Sequence, residues 1–205
     1  MIIFQSHLTN LDTLKTELVR YYDTGTYNQQ ITKADQDASA YLLRRVNENK
    51  LSSRPKKLAI VLDIDETSLS NYPNMLHMNF GGSSQNIQDA ISQARDPAIQ
   101  PTLQLFKTAE ANKVAVFFIT GRPETLRSPT VKNLDSAGYF AYNGLYLRPV
   151  TDKNRSVIPF KSSTRKTIEA NGYDIVLNVG DQESDLAGGF SDTTVKLPNP
   201  FYFLA

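Results

Sequence analysis

The sequence of 205 residues contains no cysteine and only two histidines. Without a thiol there is no disulfide and no thiolate chemistry. His7 and His77 stand in no catalytic or ligand spacing, and base rates make both surface or packing residues. Formal net charge is +1, so the total gives no reason to expect nucleic acid or an anionic membrane as partner. No window approaches the ~20 apolar residues of a membrane span. Met1-Ile2-Ile3-Phe4 is apolar but too short for a signal-peptide core, and no small-residue cleavage site follows it. Either the protein is cytosolic or a leader has been removed. There is also no G-x-S-x-G, no G-x-x-x-x-G-K-[ST] and no G-x-G-x-x-G. Serine-hydrolase elbows, P-loops and dinucleotide fingerprints are thereby set aside.

What is present is an ordinary globular composition, 40% hydrophobic and 21% charged. The length suits one α/β domain with a real core and an insertion. Two helices are expected in residues 1–55. The first carries Leu11, Leu14, Leu18 and Tyr21 at helical spacing after Thr9 or Asn10 as cap, and Gly25 closes it. The second is expected to open at Thr32-Lys33-Ala34-Asp35, which reads as a capping box with Asp in place of Glu, and to run to about Asn49. Residues 69–100 have a weak pattern, with Asn71-Tyr72-Pro73-Asn74 turn-like and one short helix marked by Ile87, Ile91 and Ala94. A loop-rich excursion of this kind reads as a small cap or binding loop. Pro101 and Pro129 each suit the first turn of a further helix. Lys161 opens another, which Gly172 stops.

The apolar runs Leu58–Leu62, Val114–Ile119 and Ile175–Val179 read as strands buried on both faces, the kind found in parallel sheets. Tyr142–Leu147 and Val195–Leu197 add two more. Strands alternating with helices argue a parallel α/β sheet with right-handed crossovers. Each of the three buried runs ends in polar groups: Asp63 and Asp65, Thr120 with Gly121, and Asp181 with Asp185. Ligands of open α/β sheets sit beyond the carboxyl ends of the strands, so these groups and Lys161 converge on one crevice. Several carboxylates together repel and take up protons unless cations neutralise them. Oxygen donors with no His or Cys suit Mg²⁺. Mg²⁺, Lys161 and a threonine hydroxyl together hold a phosphoryl group, and a nucleophilic aspartate forms an aspartyl-phosphate. An EF-hand reading of Asp63-Ile64-Asp65 fails, because Ser68 stands where Gly is required and Asn74 where Glu is required.

D-I-D-E-T at 63–67, F-F-I-T-G-R at 117–122, Lys161, and G-D-Q-E-S-D at 180–185 resemble the four motifs of the haloacid-dehalogenase (HAD) superfamily, in order. V-L-D-I-D-E-T-S-L-S-N-Y-P, K-S-x-x-R before N-G-Y-D, and K-L-P-N-P-F-Y narrow the resemblance to HAD acid phosphatases of class B type. These include secreted bacterial enzymes, plant acid phosphatases and vegetative storage proteins. One short motif carries little, whereas four in order with matching flanks carry much. The resemblance implies a HAD-like Rossmannoid sheet and a phosphomonoesterase acting on small molecules, nucleotides among them. It implies Asp63 as nucleophile and Asp65 as general acid and base. Thr120, Gly121 and Lys161 would bind the phosphoryl oxygens. Mg²⁺ would be held by Asp63, the main-chain carbonyl of Asp65 and Asp181, with Asp185 ligating it or orienting its water. It also implies a periplasmic or secreted location. Lys166 is a nearby rival to Lys161. After Asn71-Tyr72-Pro73 the plant relatives tend to be aromatic, whereas Asn74-Met75 follow here, which affects substrate contacts. The alternatives on the same fold are a non-catalytic storage or binding protein and a phosphotransferase. Storage-type relatives can lose the nucleophile, and this chain keeps it.

Overall fold

The computed structural model describes residues 9–203. The expectations for Met1–Phe4 and His7 lie outside the described residues. β1 (Lys57–Leu62), β2 (Ala115–Pro123), β3 (Gly144–Arg148), β4 (Tyr173–Gly180) and β5 (Thr193–Lys196) pair in parallel, in the order β3-β2-β1-β4-β5. The helices are α1 (Leu11–Asp23), α2 (Thr26–Leu51), α3 (Tyr72–His77), α4 (Ser84–Ser92), α5 (Gln100–Ala111), α6 (Arg127–Ala137), α7 (Ile158–Ala170) and α8 (Glu183–Leu186).

Both faces of the central strands are covered, as their unbroken apolar runs require. On one face Ile60, Leu62, Val116 and Phe118 join the core beneath α2 and α5. On the other, Ala59, Val61, Phe117 and Ile119 meet Ile168 of α7. The alternation follows from the two-residue repeat of a strand. Burying one such Leu, Ile or Phe stabilises the fold by about 1.5–3 kcal/mol. The chain runs outward from β1 through β2 to β3, then crosses back to β4 and β5. The topological switch therefore lies at β1 and β4. Leu62 pairs with Phe118 and Val179, so the carboxyl ends of β1, β2 and β4 emerge side by side.

The second helix does not begin at Thr32. It begins at Thr26, with Gly25 as N-cap at φ +80°, a conformation that glycine adopts without strain. Tyr27, Ile31, Asp35, Ala38, Leu42 and Val46 form one continuous buried stripe, and that packing overrides the local capping signal. Asp35 faces inward and accepts a hydrogen bond from the Thr102 hydroxyl of α5 at 2.8 Å. The first helix is capped by Asn10, whose side chain accepts from the N–H groups of Asp12 and Thr13.

Three other expectations shift. Asn71–Asn74 is not a turn but the start of α3, with Pro73 in its first turn. The lysine helix starts at Ile158, three residues before Lys161. The last strand lies at Thr193–Lys196. Among the described residues no helix is long and apolar enough to cross a membrane.

Candidate active site

Asp63 follows β1, and its N–H donates to the Val179 carbonyl at 3.0 Å, extending the β1–β4 ladder by one residue. Its carboxylate therefore projects from a fixed backbone. Lys161, in the first turn of α7, donates through Nζ to Asp63 Oδ1 at 2.5 Å and to Asp185 Oδ1 at 2.6 Å. Carboxylate oxygens of Asp63, Asp181 and Asp185 all lie within 4.8 Å of one another, and all three residues are buried. Lys166, the rival lysine, is exposed and lies over the Phe190 ring instead. His77 is exposed on α3.

Burial and the neighbouring Asp185 push the Asp63 carboxyl well above the usual carboxylate range, against the pull of Lys161. Burial and Asp185 likewise push Asp181 up to about 6, although Asn199 and Gln182 donate to it. Burial works against the Lys161 charge, but Asp63 and Asp185 outweigh it and raise its pKa. Three carboxylates thus share one ammonium, and the cluster is short of positive charge. An all-oxygen set of this geometry fits a hard divalent cation.

The loop after β1 has its own bonds. Ser68 Oγ donates to the Asp63 carbonyl at 2.6 Å. Asp65 sits in the fork of Arg122, which donates through Nε at 3.0 and 3.1 Å and through Nη2 at 2.7 Å. Asn71 Nδ2 adds a fourth bond at 2.7 Å. Burial raises the Asp65 pKa, but Arg122 and Asn71 more than offset it, and the net shift is downward. The Asp65 carboxylate thus turns to Arg122 and not into the acidic cluster. Arg122 also reaches Asp96 Oδ2 at 3.3 Å, anchoring the segment between β1 and α5.

Thr120 ends the unbroken buried run of β2. Its hydroxyl oxygen accepts from the Arg122 N–H at 3.1 Å, which leaves its own proton to donate. Gly121 lines the same cavity as Asp63, Asp65, Lys161, Asp181 and Asp185, a space of about 630 Å³.

Asp185 reaches the cluster because the chain folds back tightly after β4. A Cβ on Gly180 would lie 2.4 Å from the Asp185 Cβ, so only glycine permits that approach. Arg165, fully buried, holds the turn by donating to the carbonyls of Asp185 and Gly189 at 2.8 Å each and to that of Ala187.

A model of the HAD superfamily, subfamily IIIB (acid phosphatase), matches residues 4–205. The chain belongs to this family. It is 35% identical over 148 residues to acid phosphatase 1 of Solanum lycopersicum, covering 70% of this chain and 58% of that protein. It is 30% identical over 150 residues to vegetative storage protein 1 of Arabidopsis thaliana, covering 70% of this chain and 54% of that one. The chain thus spans little more than half the length of these two relatives. The class C acid phosphatase from Bacillus anthracis shares its fold, with a TM-score of 0.76 at 22% identity over 94% of this chain and 86% of that one.

Within this HAD subfamily IIIB chain, several site residues carried no assignment from sequence. Arg122 and Asn71 hold Asp65. Asn199 donates to Asp181 Oδ2 at 2.7 Å, Gln182 does so at 2.6 Å, and Thr67 donates to Asp181 Oδ1 at 3.2 Å. Glu66, fully buried, accepts from the Asn71 N–H at 2.6 Å and from the Tyr202 hydroxyl. Burial pushes its carboxyl up to about 8. The K-L-P-N-P-F-Y segment therefore returns to the site through Asn199 and Tyr202. Its motif was the only signal in the sequence, and it did not say which side chains reach back.

Proposed function

We propose that this protein is a Mg²⁺-dependent phosphomonoester hydrolase that works through an aspartyl-phosphate on Asp63. The observation that carries the reading is the contact of Lys161 with Asp63 inside the Asp63–Asp181–Asp185 cluster. Mg²⁺ would be held by those carboxylates and the main-chain carbonyl of Asp65, and would neutralise charge on the phosphoryl oxygens. Lys161 contributes a second positive charge to the same oxygens and Gly121 borders them, whereas Thr120 is fully buried behind the cavity wall and reaches them only if its hydroxyl turns outward. Asp63 attacks phosphorus as the bond to the ester oxygen breaks, and Asp65, entering this step protonated, gives its proton to that oxygen. Asp65 then takes a proton from water as the water attacks the acyl phosphate, which returns Asp63 and releases phosphate. Arg122 and Asn71 fix the Asp65 side chain at the edge of the same cavity and favour the carboxylate form that the second step needs.

The retained Asp63 favours the enzyme over a storage protein. The phosphotransferase alternative uses the same intermediate and differs only in its acceptor. The same reading takes the protein to be exported, as the resemblance implies, and cell fractionation checks that. The deciding experiment is phosphate release from a panel of phosphomonoesters, with alcohol release measured in parallel. EDTA should abolish turnover and Mg²⁺ restore it, with phosphate and alcohol released in equal amounts. Full activity in excess chelator removes the metal from the reading. Alcohol in excess of phosphate makes the protein a transferase.

A further inference from the structure

The cavity over Asp63 has two unlike halves. The catalytic half carries the carboxylates and Lys161. On one flank the end of β3 contributes Arg148 and the loop after it Arg155, and Arg148 is tied to Asp152 at 2.9 Å and to the Asn154 carbonyl. The other half comes from the insertion and its neighbours: Met75, Met78, Phe80, Ile87, Ile91 and Leu126. No charged side chain of residues 71–100 lines the cavity. Of the four polar side chains there, Asn71 is engaged with Asp65 and Asn74 with Asp96 at 2.7 Å, and the other two are Ser84 and Gln88.

This apolar half is formed in advance of any ligand. Tyr72, at the start of α3, stacks on Tyr22 of α1 with ring centres 3.5 Å apart and planes 8° from parallel. It is 4% exposed, so its ring is spent on seating α3 and not on a ligand. The Asn74–Asp96–Arg122 chain ties α3 to β2, and the Ser70 N–H donates to the Pro97 carbonyl at 2.9 Å. Ile87, though exposed to water at 46%, lines the cavity. An unbranched thioether such as Met75 or Met78 adapts to ligands of irregular shape.

We infer that the substrate is a phosphomonoester of an apolar alcohol, and that its hydrocarbon half is taken up by Met75, Met78, Phe80, Ile87 and Ile91. The inference rests on the phosphatase reading, which places the phosphoryl group over Asp63. The cavity continues from that point directly into the apolar wall. A sugar or glycerol half would lose its water against that wall, where the polar side chains not already engaged are those of Ser84 and Gln88. An alkyl or aryl half loses nothing.

The test is kcat/KM for methyl, propyl, hexyl and benzyl phosphates, beside glycerol 1-phosphate and adenosine 5′-monophosphate, at one Mg²⁺ concentration. Each methylene that reaches the wall should raise kcat/KM up to about fourfold, so hexyl phosphate should exceed methyl phosphate by at least roughly tenfold. Propyl phosphate should exceed glycerol 1-phosphate. In Met78→Gln and Ile87→Gln the hexyl-to-methyl ratio should shrink. Ile87 is exposed enough for that change to leave folding intact, which circular dichroism checks. A parallel arm measures the thermal shift given by methyl- and hexylphosphonate. Esters hydrolysed with no dependence on chain length, or a preference for the nucleotide or glycerol ester, overturn the inference and leave the phosphatase reading standing. Tighter binding of hexylphosphonate with no ester hydrolysed supports the ligand class and overturns the hydrolase reading. Equal shifts from the two phosphonates with no hydrolysis overturn both.

Discussion

Asp35→Asn should make the protein more stable at neutral pH. Asp35 is 2% exposed, on the face of α2 that packs on α5. One carboxylate oxygen accepts from Thr102 at 2.8 Å, and the other has no hydrogen-bond partner. Burial pushes its pKa up to about 6, with the Thr102 bond opposing the shift in part. The sign follows by linkage. Between about pH 4 and 6 the folded state holds a proton on Asp35 that the unfolded chain, with a pKa near 3.9, has released. Stability therefore falls as pH rises through that window and stays reduced above it. A shift of about two units corresponds to about 3 kcal/mol at pH 7. Asparagine keeps the shape and carries no charge at any pH. It should gain roughly 1–3 kcal/mol at pH 7, since its amide also finds no second partner. For a domain of this size that is a rise in Tm of about 2–10 °C. The gain should vanish near pH 4. The assay is urea unfolding followed by far-ultraviolet circular dichroism at pH 4, 5, 6 and 7. The difference between wild type and variant cancels the titration of the active-site carboxylates. A difference that does not change with pH, or a variant less stable at pH 7, refutes the account of Asp35 as a buried, under-bonded charge.

The remaining expectations concern the site. Asp63→Asn keeps the shape and removes the attacking charge, so turnover should drop to background with the circular dichroism spectrum unchanged; wild-type turnover would exclude covalent catalysis by Asp63. Asn199→Ala removes one of the donors that orient Asp181 and should raise the Mg²⁺ concentration for half-activation by about 10–100-fold, while an unchanged midpoint would make Asn199 purely structural. Asp65→Asn should slow esters of poor leaving groups far more than p-nitrophenyl phosphate, and kcat/KM against leaving-group pKa for both proteins reads the difference; an equal loss across the series would mean that Asp65 is structural. Arg165→Met leaves the carbonyls of Asp185, Ala187 and Gly189 without their buried donor and should cost roughly 3 kcal/mol or more, measured as a lowered urea midpoint.

The local chemistry of the chain determined the sheet and the acidic cluster at its carboxyl end. Leu58–Leu62, Val114–Ile119 and Ile175–Val179 are apolar on both faces, and a strand so composed is stable only when helices cover both sides of a sheet. Parallel pairing then aligns the carboxyl ends, so the residues just past those runs meet. Asp63, Asp181 and Asp185 are brought together in this way, and α7, packed on the sheet, adds Lys161 from its first turn. The tertiary structure alone decided what surrounds them. Arg122 is 57 positions from Asp65, and Tyr202 is 136 from Glu66. A hydrogen bond across such a separation leaves no periodicity in the sequence, because it depends on where two loops land. The start of α2 was misread for a related reason. Thr32-x-x-Asp35 has the composition of a cap, but the stripe from Tyr27 to Val46 gains more by packing on α5 than the cap would contribute. Asp35 is carried into the core with it. Local propensity is worth tenths of a kcal/mol per residue, and a buried apolar stripe is worth several, so the packing decided the helix.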